Sequence, residues 1–268
     1  MAETLLIQRR DGAVARLRLE RPDLHNAFDA ELVARLTEAL LQAGADPAVR
    51  VVVLEAAGSS FSAGADLHWM RAMADAPEAA NRDDALRLAR LMRTLDELPK
   101  PTIAQVQGPA YGGGVGLIAC CDIAIGTPDA KFGLSEARLG LLPAVISPYV
   151  VAAIGARQAR RWFASAETFD AQQALQIGLL HALVDPPELQ AAVDRQINLL
   201  LRAAPQASAI AKALVRRVAT GAHLDLQDEE NAALIASLRA SDEGREGVAA
   251  FLEKRPPAWE VARRPRSA

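Results

Sequence analysis

Two places in the chain combine a buried strand with a loop of small residues, and they constrain the fold more than any other feature. The first is Phe61-Ser62-Ala63-Gly64-Ala65-Asp66-Leu67, after the apolar run at 51–54. The second is Ala110-Tyr111-Gly112-Gly113-Gly114-Val115-Gly116, after the run at 102–106. Val51, Val52, Val53 and Leu54 show no polar alternation, which marks a strand buried on both faces. Where such a strand gives way to a helix, the first helical turn leaves N–H donors unpaired, and these gather into a site for an anion or a carbonyl oxygen. Small side chains let a ligand oxygen reach those donors. Taken alone, both loops are equally compatible with plain tight turns.

The rest of the chain supplies the frame. Leu5 and Ile7, then Val14, Leu17 and Leu19, form two short extended runs around Asp11–Gly12, a common hairpin turn pair. Asp29 is placed to cap a helix in which Leu32, Leu36 and Leu40 repeat at helical spacing. A short helix is expected from about Asp66, an amphipathic one over 86–98, and a short buried one over 115–121. Residues 108–114 read as a turn, 123–125 as a third strand, and 128–135 as an irregular connection. After Asp170 the periodicity is nearly all helical, over 189–201, 205–218, 224–238 and 243–252, and the Arg- and Pro-rich end reads as a surface tail. This pattern predicts an α/β body over 1–200 and a helical C-terminal region over 201–268. The Ala- and Leu-rich helices suit oligomer contacts as well as chemistry.

Composition excludes several function classes. Apolar residues make up 51% and charged residues 24% of 268, an ordinary globular mix. A net charge of −3 with both signs interspersed gives no field that would gather nucleic acid or a membrane surface. The two cysteines, Cys120 and Cys121, are adjacent, without disulfide or metal spacing, which suits a reducing compartment. No signal peptide or membrane-length apolar run is visible, so the expected location is cytoplasmic. A dinucleotide site is also unsupported: Leu117 stands where G-x-G-x-x-G needs its last glycine, and no phosphate-binding G-x-x-x-x-G-K-[ST] occurs.

Together, the two loops in this order, about fifty residues apart, resemble the paired signatures of the crotonase superfamily, the enoyl-CoA hydratases and isomerases. The similarity extends to Arg21-Pro22 with Asn26-Ala27, to Cys121-Asp122-Ile123-Ala124, and to Phe132-Gly133-Leu134-Ser135-Glu136 with Leu139-Gly140-Leu141-Leu142-Pro143. Near the end, Glu246-Gly247, Phe251 and Glu253-Lys254-Arg255 resemble the family's C-terminal helix. The resemblance implies a ββα superhelix, a CoA thioester substrate, no metal or redox cofactor, and a homotrimer or homohexamer. It also assigns residues. The backbone N–H groups of Ala65 and Gly113 would hold the thioester oxygen, and Glu136 would be the catalytic carboxylate. Ala63, Asp66, Leu67 and His68 would line the CoA path, and Phe251 and Lys254 would approach CoA, often from a neighbouring subunit.

That chemistry fits the residue types. Adding water to an α,β-unsaturated thioester passes through an enolate-like species, whose oxygen two preorganised N–H donors stabilise. A carboxylate must then move protons at C2 or activate water. One position departs from the family pattern. Many hydratases carry a second glutamate three residues after the oxyanion-hole glycine, where this chain has Gly116. A glycine there, with Ser62-Ala63-Gly64-Ala65-Asp66-Leu67-His68-Trp69-Met70 and Pro143-Ala144-Val145-Ile146-Ser147-Pro148-Tyr149-Val150, resembles a bacterial subgroup of 3-methylglutaconyl-CoA and γ-carboxygeranoyl-CoA hydratases. The expectation is that Gly116 makes room for a branched acyl group. Trp69 and Tyr111 are expected in the pocket wall, and His25, His181 and His223 without a role; Arg71 and Arg138 are able to pair with a substrate carboxylate, although surface arginines are commoner. Two rivals remain: an isomerase using one glutamate, and an inert acyl-CoA-binding homologue.

Overall fold

A computed structural model describes residues 6–219 and 224–260, with the side chains of 224–227 left aside. Leu5, His223 and the end of the tail lie outside the described residues. Strands β1 (Leu6–Asp11) and β2 (Val14–Leu19) form the expected antiparallel hairpin, with Asp11 opposite Val14 and Gly12 at φ +58° in the turn. The chain then builds a parallel sheet outward from β2. Its further strands are β3 (Val51–Ala56), β4 (Thr102–Val106), β6 (Ile123–Gly126) and β9 (Ala182–Leu183), giving the order β1-β2-β3-β4-β6-β9.

The unbroken apolar run at 51–54 is buried on both faces, as expected. Val52 and Leu54 meet one core, with helices α1 (Ala30–Ala45) and α3 (Glu78–Asp96), while Val51 and Val53 meet another under α8 (Leu189–Arg202). The period of two along a strand divides them in this way. Leu32, Leu36 and Leu40 of α1 are all 1% exposed or less, and Asp29 caps that helix by accepting from the Leu32 N–H at 2.8 Å. Truncating any of these leucines to alanine would cost about 2–5 kcal/mol.

The structure corrects several expectations about local order. The segments read as a turn and as an irregular connection contain β5 (Ala110–Tyr111) and β7 (Lys131–Gly133), and β7 pairs with β5 on one side and β8 (Thr168–Asp170) on the other in a second, three-stranded sheet. Strands of two or three residues carry too little alternation to read. Helix α3 begins at Glu78, ahead of 86, because its first turns are polar and bury only Asp84. Two further helices, α5 (Ser147–Ile154) and α6 (Ala156–Ser165), are split by Gly155 at φ +78°, and α7 (Ala171–Gln176) follows β8 directly.

The C-terminal helices are fastened to one end of the sheet. These are α9 (Pro205–Ala219), α10 (Leu224–Ala240) and α11 (Asp242–Leu252). Arg50, just before β3, donates to the carbonyls of Leu201, Ala203 and Trp259 at 2.6–2.9 Å. Lys212 on α9 reaches Asp122 at 2.9 Å, and Asp122 also accepts from the Thr102 backbone N–H and hydroxyl. These contacts all lie at the N-terminal ends of the parallel strands. The small-residue loops lie at the opposite, C-terminal ends, where α/β sheets place their ligands.

Candidate active site

After β3 the chain runs through residues 57–66, and buried polar groups set its path. Arg21, 6% exposed, donates to the Ala27 carbonyl at 2.7 Å and pairs with Asp29 at 3.1 Å and Asp66 at 3.4 Å. Asn26 accepts the Arg21 backbone N–H and donates to the carbonyls of Ala57 and Ser60. The Ser62 hydroxyl donates in turn to the Asn26 carbonyl at 2.9 Å. Phe28 then pairs as a parallel bridge with Ala65: its N–H bonds Gly64 O, and its carbonyl accepts the Asp66 N–H, both at 2.7 Å. In such a bridge the residue between the two bonds, Ala65, directs its own N–H the other way.

The second loop supplies the companion donor. Gly112 sits at φ +48° and ψ −117°, a conformation closed to residues with a Cβ, and its N–H bonds Gly133 O at 2.9 Å. Gly113 opens helix α4 (Gly113–Cys120), so its N–H has no intrahelical acceptor. The loops touch: Ser62 bridges Ala110, and the Tyr111 N–H donates to Ser62 O at 2.9 Å. A Cβ on Gly64 would lie 2.9 Å from Tyr111 O and 3.7 Å from Gly113 N, and one on Gly114 would lie 2.7 Å from Ser62 O. Glycine is therefore required here by close backbone approach. Among the described residues, neither the Ala65 nor the Gly113 N–H has an acceptor.

A carboxylate stands over this pair. Glu136 lies on the short 3-10 turn Ser135–Leu139 after β7, with its Oε1 3.1 Å from where a Cβ on Gly112 would be. Its Oε2 is buried without a hydrogen-bond partner among the described residues. Burial raises its pKa above the ordinary glutamate value, and its own backbone bond offsets part of that. Two unpaired N–H donors beside a partly desolvated carboxylate can hold a carbonyl oxygen while protons move at the neighbouring carbons.

Most of the chain matches known proteins. The model of the enoyl-CoA hydratase/isomerase family matches residues 9–262. The chain belongs to that family. A putative enoyl-CoA hydratase of Thermus thermophilus is 32% identical over 95% of this chain and 100% of its own length. A crotonyl-CoA hydratase of Syntrophomonas wolfei is 30% identical over 95% of this chain and 97% of its own. The crystal structure of an enoyl-CoA hydratase from Shewanella pealeana superposes with a TM-score of 0.93 at 44% identity, covering 96% of this chain and 97% of that one. The crotonase fold and the reading as an enzyme of the enoyl-CoA hydratase class both stand.

Within this hydratase fold the residues singled out in the sequence separate into three groups. Ala63, Ala65, Leu67 and His68 are exposed, while Gly64 and Asp66 between them are buried, so one row of the loop faces outward beside the donors. Asp66, expected along the CoA path, is a correction. Its carboxylate is 6% exposed and faces Arg21, and it caps α2 (Leu67–Ala74) by accepting from the N–H groups of His68 and Trp69. Gly116 is a second correction. It opens no space for an acyl branch, because a Cβ there would lie 2.3 Å from Ile146 Cγ2 and 3.3 Å from Met92 Cε.

Phe251 and Lys254 form the third group. Phe251 is 82% exposed on α11, and Trp259, whose ring covers Gly247 of that helix, accepts from Arg50 at its backbone carbonyl and donates its indole N–H to the Arg202 carbonyl. That anchors α11 at the N-terminal ends of the strands, so neither residue joins the site of its own chain. Of the histidines expected to have no role, His25 Nδ1 lies 3.0 Å from Ser60 Oγ, and His181 Nδ1 accepts from the Ala124 N–H at 3.0 Å. Both cysteines are free and buried, and burial pushes the Cys121 thiol up to about 12, which removes it as a nucleophile. Reading the sequence missed how much Arg21 and Asn26 do. An arginine and an asparagine beside a proline look like loop residues until their burial is seen.

Proposed function

We propose that the enzyme adds water across the C2–C3 double bond of a 2-enoyl-CoA thioester with Glu136 as the single proton carrier. The thioester oxygen accepts from the Ala65 and Gly113 N–H groups, and losing one such donor typically costs about 2.7–4 kcal/mol of barrier. The Glu136 carboxylate takes a proton from water as the oxygen attacks C3. The enolate is held at the two N–H groups, and the same glutamate returns that proton to C2. One side chain serves as base and then acid, and the raised pKa of Glu136 suits both roles. The reaction needs no cofactor beyond the CoA that the substrate carries.

The observation that carries this reading is the buried, unpaired Glu136 Oε2 beside two unpaired backbone donors. Its test is Glu136→Gln, with hydration followed by loss of enoyl-thioester absorbance: retained thioester binding with little turnover is expected. Unchanged turnover would overturn the mechanism. A single carboxylate also suits an isomerase that shuttles one proton. Product analysis with 2-enoyl and 3-enoyl thioesters separates the two, and hydration of the former is expected to dominate.

For the acyl group we favour a branched, carboxylated chain of the 3-methylglutaconyl type. The resemblance over 62–70 and 143–150 supports it. So do Arg71 on α2 and Arg138, two residues past Glu136: both are exposed and have no carboxylate partner among the described residues. A planar guanidinium matches a carboxylate with two parallel bonds. A panel of straight, branched and carboxylated enoyl thioesters tests it, and a flat response across the panel would sink it.

We further propose a homotrimer or a dimer of trimers. Leu139, Leu141 and Leu142 beside the site are 56–71% exposed, and Phe251 and Leu252 are 82% and 72% exposed at the other end of the sheet. A second copy that brings Phe251 and Lys254 to the CoA path would cover both sets. Light scattering that returned a monomer would remove this reading. Among the described residues no helix is long and apolar enough to cross a membrane.

A further inference from the structure

The space along helix α4 beside the reacting centre is closed by one stiff side chain. Gly113 presents its N–H to the thioester oxygen, and Glu136 Oε1 lies over Gly112. One turn further along, the Gly116 N–H bonds Gly112 O at 3.1 Å, and Ile146 lies over Gly116. Glu136 thus meets the chain at the N-cap Gly112, and Ile146 meets it four residues on, at Gly116 of α4. Both come from the segment that crosses α4 between β7 and α5.

Three observations fix Ile146 in place. It is 3% exposed, its carbonyl accepts the N–H groups of Tyr149 and Val150 at the start of α5, and Met92, fully buried, lies beside it over Gly116. A β-branched side chain also has few alternative rotamers. Ala63, Ala65 and Leu67 are exposed, and on the hydratase reading this open side is the one by which CoA enters. An acyl chain pinned at its carbonyl and reaching C3 beside Glu136 must run away from that opening, towards Ile146.

We infer that Ile146 is the specificity-determining wall of the acyl site, and that Gly116 is glycine because Ile146 occupies the volume of any side chain there. The pair acts as a knob in a hole. This deepens the hydratase reading and rests on it for the direction of the acyl chain. Changing the knob changes which acyl groups fit, and refilling the hole displaces the knob.

The test uses calorimetric binding of saturated acyl-CoAs, straight-chain and 3-methyl-branched, so that it stands apart from turnover. Ile146→Ala is expected to improve binding of the branched thioester relative to the straight one by about tenfold, the scale of one or two methylenes in an apolar pocket. Ile146→Val, which folds with less disturbance, should shift the ratio in the same direction by less. Gly116→Ala is expected to lower the Tm and weaken both thioesters, and Gly116→Ala with Ile146→Val should recover part of each loss. An acyl preference unmoved by both Ile146 variants would overturn the assignment of Ile146 as the wall. A Gly116→Ala protein as stable as the parent would overturn the knob-in-hole contact. If binding shifts as stated but no thioester is hydrated by the parent enzyme, the inference holds and the hydratase reading fails.

Discussion

The two ends of the parallel sheet are built from the same strands and treated in opposite ways. At the N-terminal ends, polar groups are largely closed off: Arg50 takes three carbonyls, though its Nε is buried without a partner among the described residues, and Asp122 collects Thr102 and Lys212. At the C-terminal ends, two backbone N–H groups and one carboxylate oxygen have no partner among the described residues. Unpaired buried polar atoms cost stability, and native structures keep them where a ligand completes them. The contrast agrees with the family match, although other buried side-chain atoms, Gln105 Oε1 and Trp162 Nε1 among them, also have no partner among the described residues. The satisfied end holds the fold, and the unsatisfied end waits for an oxygen and a proton.

Glu136→Gln should break the contrast most severely. It keeps the shape of the side chain and removes the base, so kcat should fall by about 10²–10⁴-fold, the usual range for a positioned acid–base group. The KM should move little, since the N–H donors remain. In the parent enzyme the acid limb of kcat/KM should sit above the ordinary carboxylate range, because burial raises the Glu136 pKa. Stability follows the same sign. With the folded pKa raised, the native state holds its proton more tightly than the unfolded chain, so the penalty for ionisation begins above the unfolded value. The Tm advantage of Glu136→Gln should therefore be larger at pH 8 than at pH 4. Equal advantages at both would mean that Glu136 is not desolvated.

Arg21→Ala should come next, acting on the loop rather than on the chemistry. It leaves Asp66, 6% exposed, without its cation, and removing one partner of a buried pair costs about 3–5 kcal/mol. A Tm loss on the order of 10 °C follows for a chain of this size. Turnover should fall further than stability accounts for, since Asp66 and Phe28 hold the strand that aims the Ala65 N–H. Arg21→Lys should recover charge but not the fork that reaches Ala27, Asp29 and Asp66 together.

The same contrast explains what was legible in the sequence. The strand at 51–54 announces itself because burial on both faces removes every polar residue. The donor loops do so because only small residues tolerate close backbone contact. Strands β5, β7 and β8 escaped notice: they span three residues at most and owe their existence to pairing between distant segments. Gly116 was misread for a related reason. A glycine in a sequence looks like space, and only the fold shows that Ile146, thirty positions away, fills it. Asp66 was half read, since the helix that starts beside it was legible but its partner Arg21 was not.

Gly112→Ala should have a smaller effect, still confined to the functional end. A backbone at φ +48° and ψ −117° is strained for alanine, and the new Cβ would lie 3.1 Å from Glu136 Oε1. Such strain costs about 1–3 kcal/mol, so kcat should fall roughly ten- to hundredfold with a Tm loss of a few degrees. Gly12 provides the control at the opposite end of the sheet. It also has positive φ but nothing within 4 Å of its Cβ position, so Gly12→Ala should lower the Tm and leave kcat alone. Equal kinetic losses in the two variants would show that backbone strain alone, not the approach to Glu136, limits the site.

Lys212→Ala is the mildest probe and the sharpest for the independence of the two ends. The pair with Asp122 is half-shielded, with side chains 12% and 30% exposed, and ion pairs open to solvent contribute about 1 kcal/mol or less. Asp122 keeps its two bonds from Thr102, so no buried charge is stranded. The Tm should drop by at most a few degrees, and kcat/KM should stay within about twofold of the parent. Strands are stiff along their length, and a small loosening at one end of β4 and β6 has no soft path to Gly112 at the other. A tenfold loss of kcat/KM at unchanged Tm would show that the closed end tunes the open one, and the division of labour drawn from the unpaired groups would then be wrong.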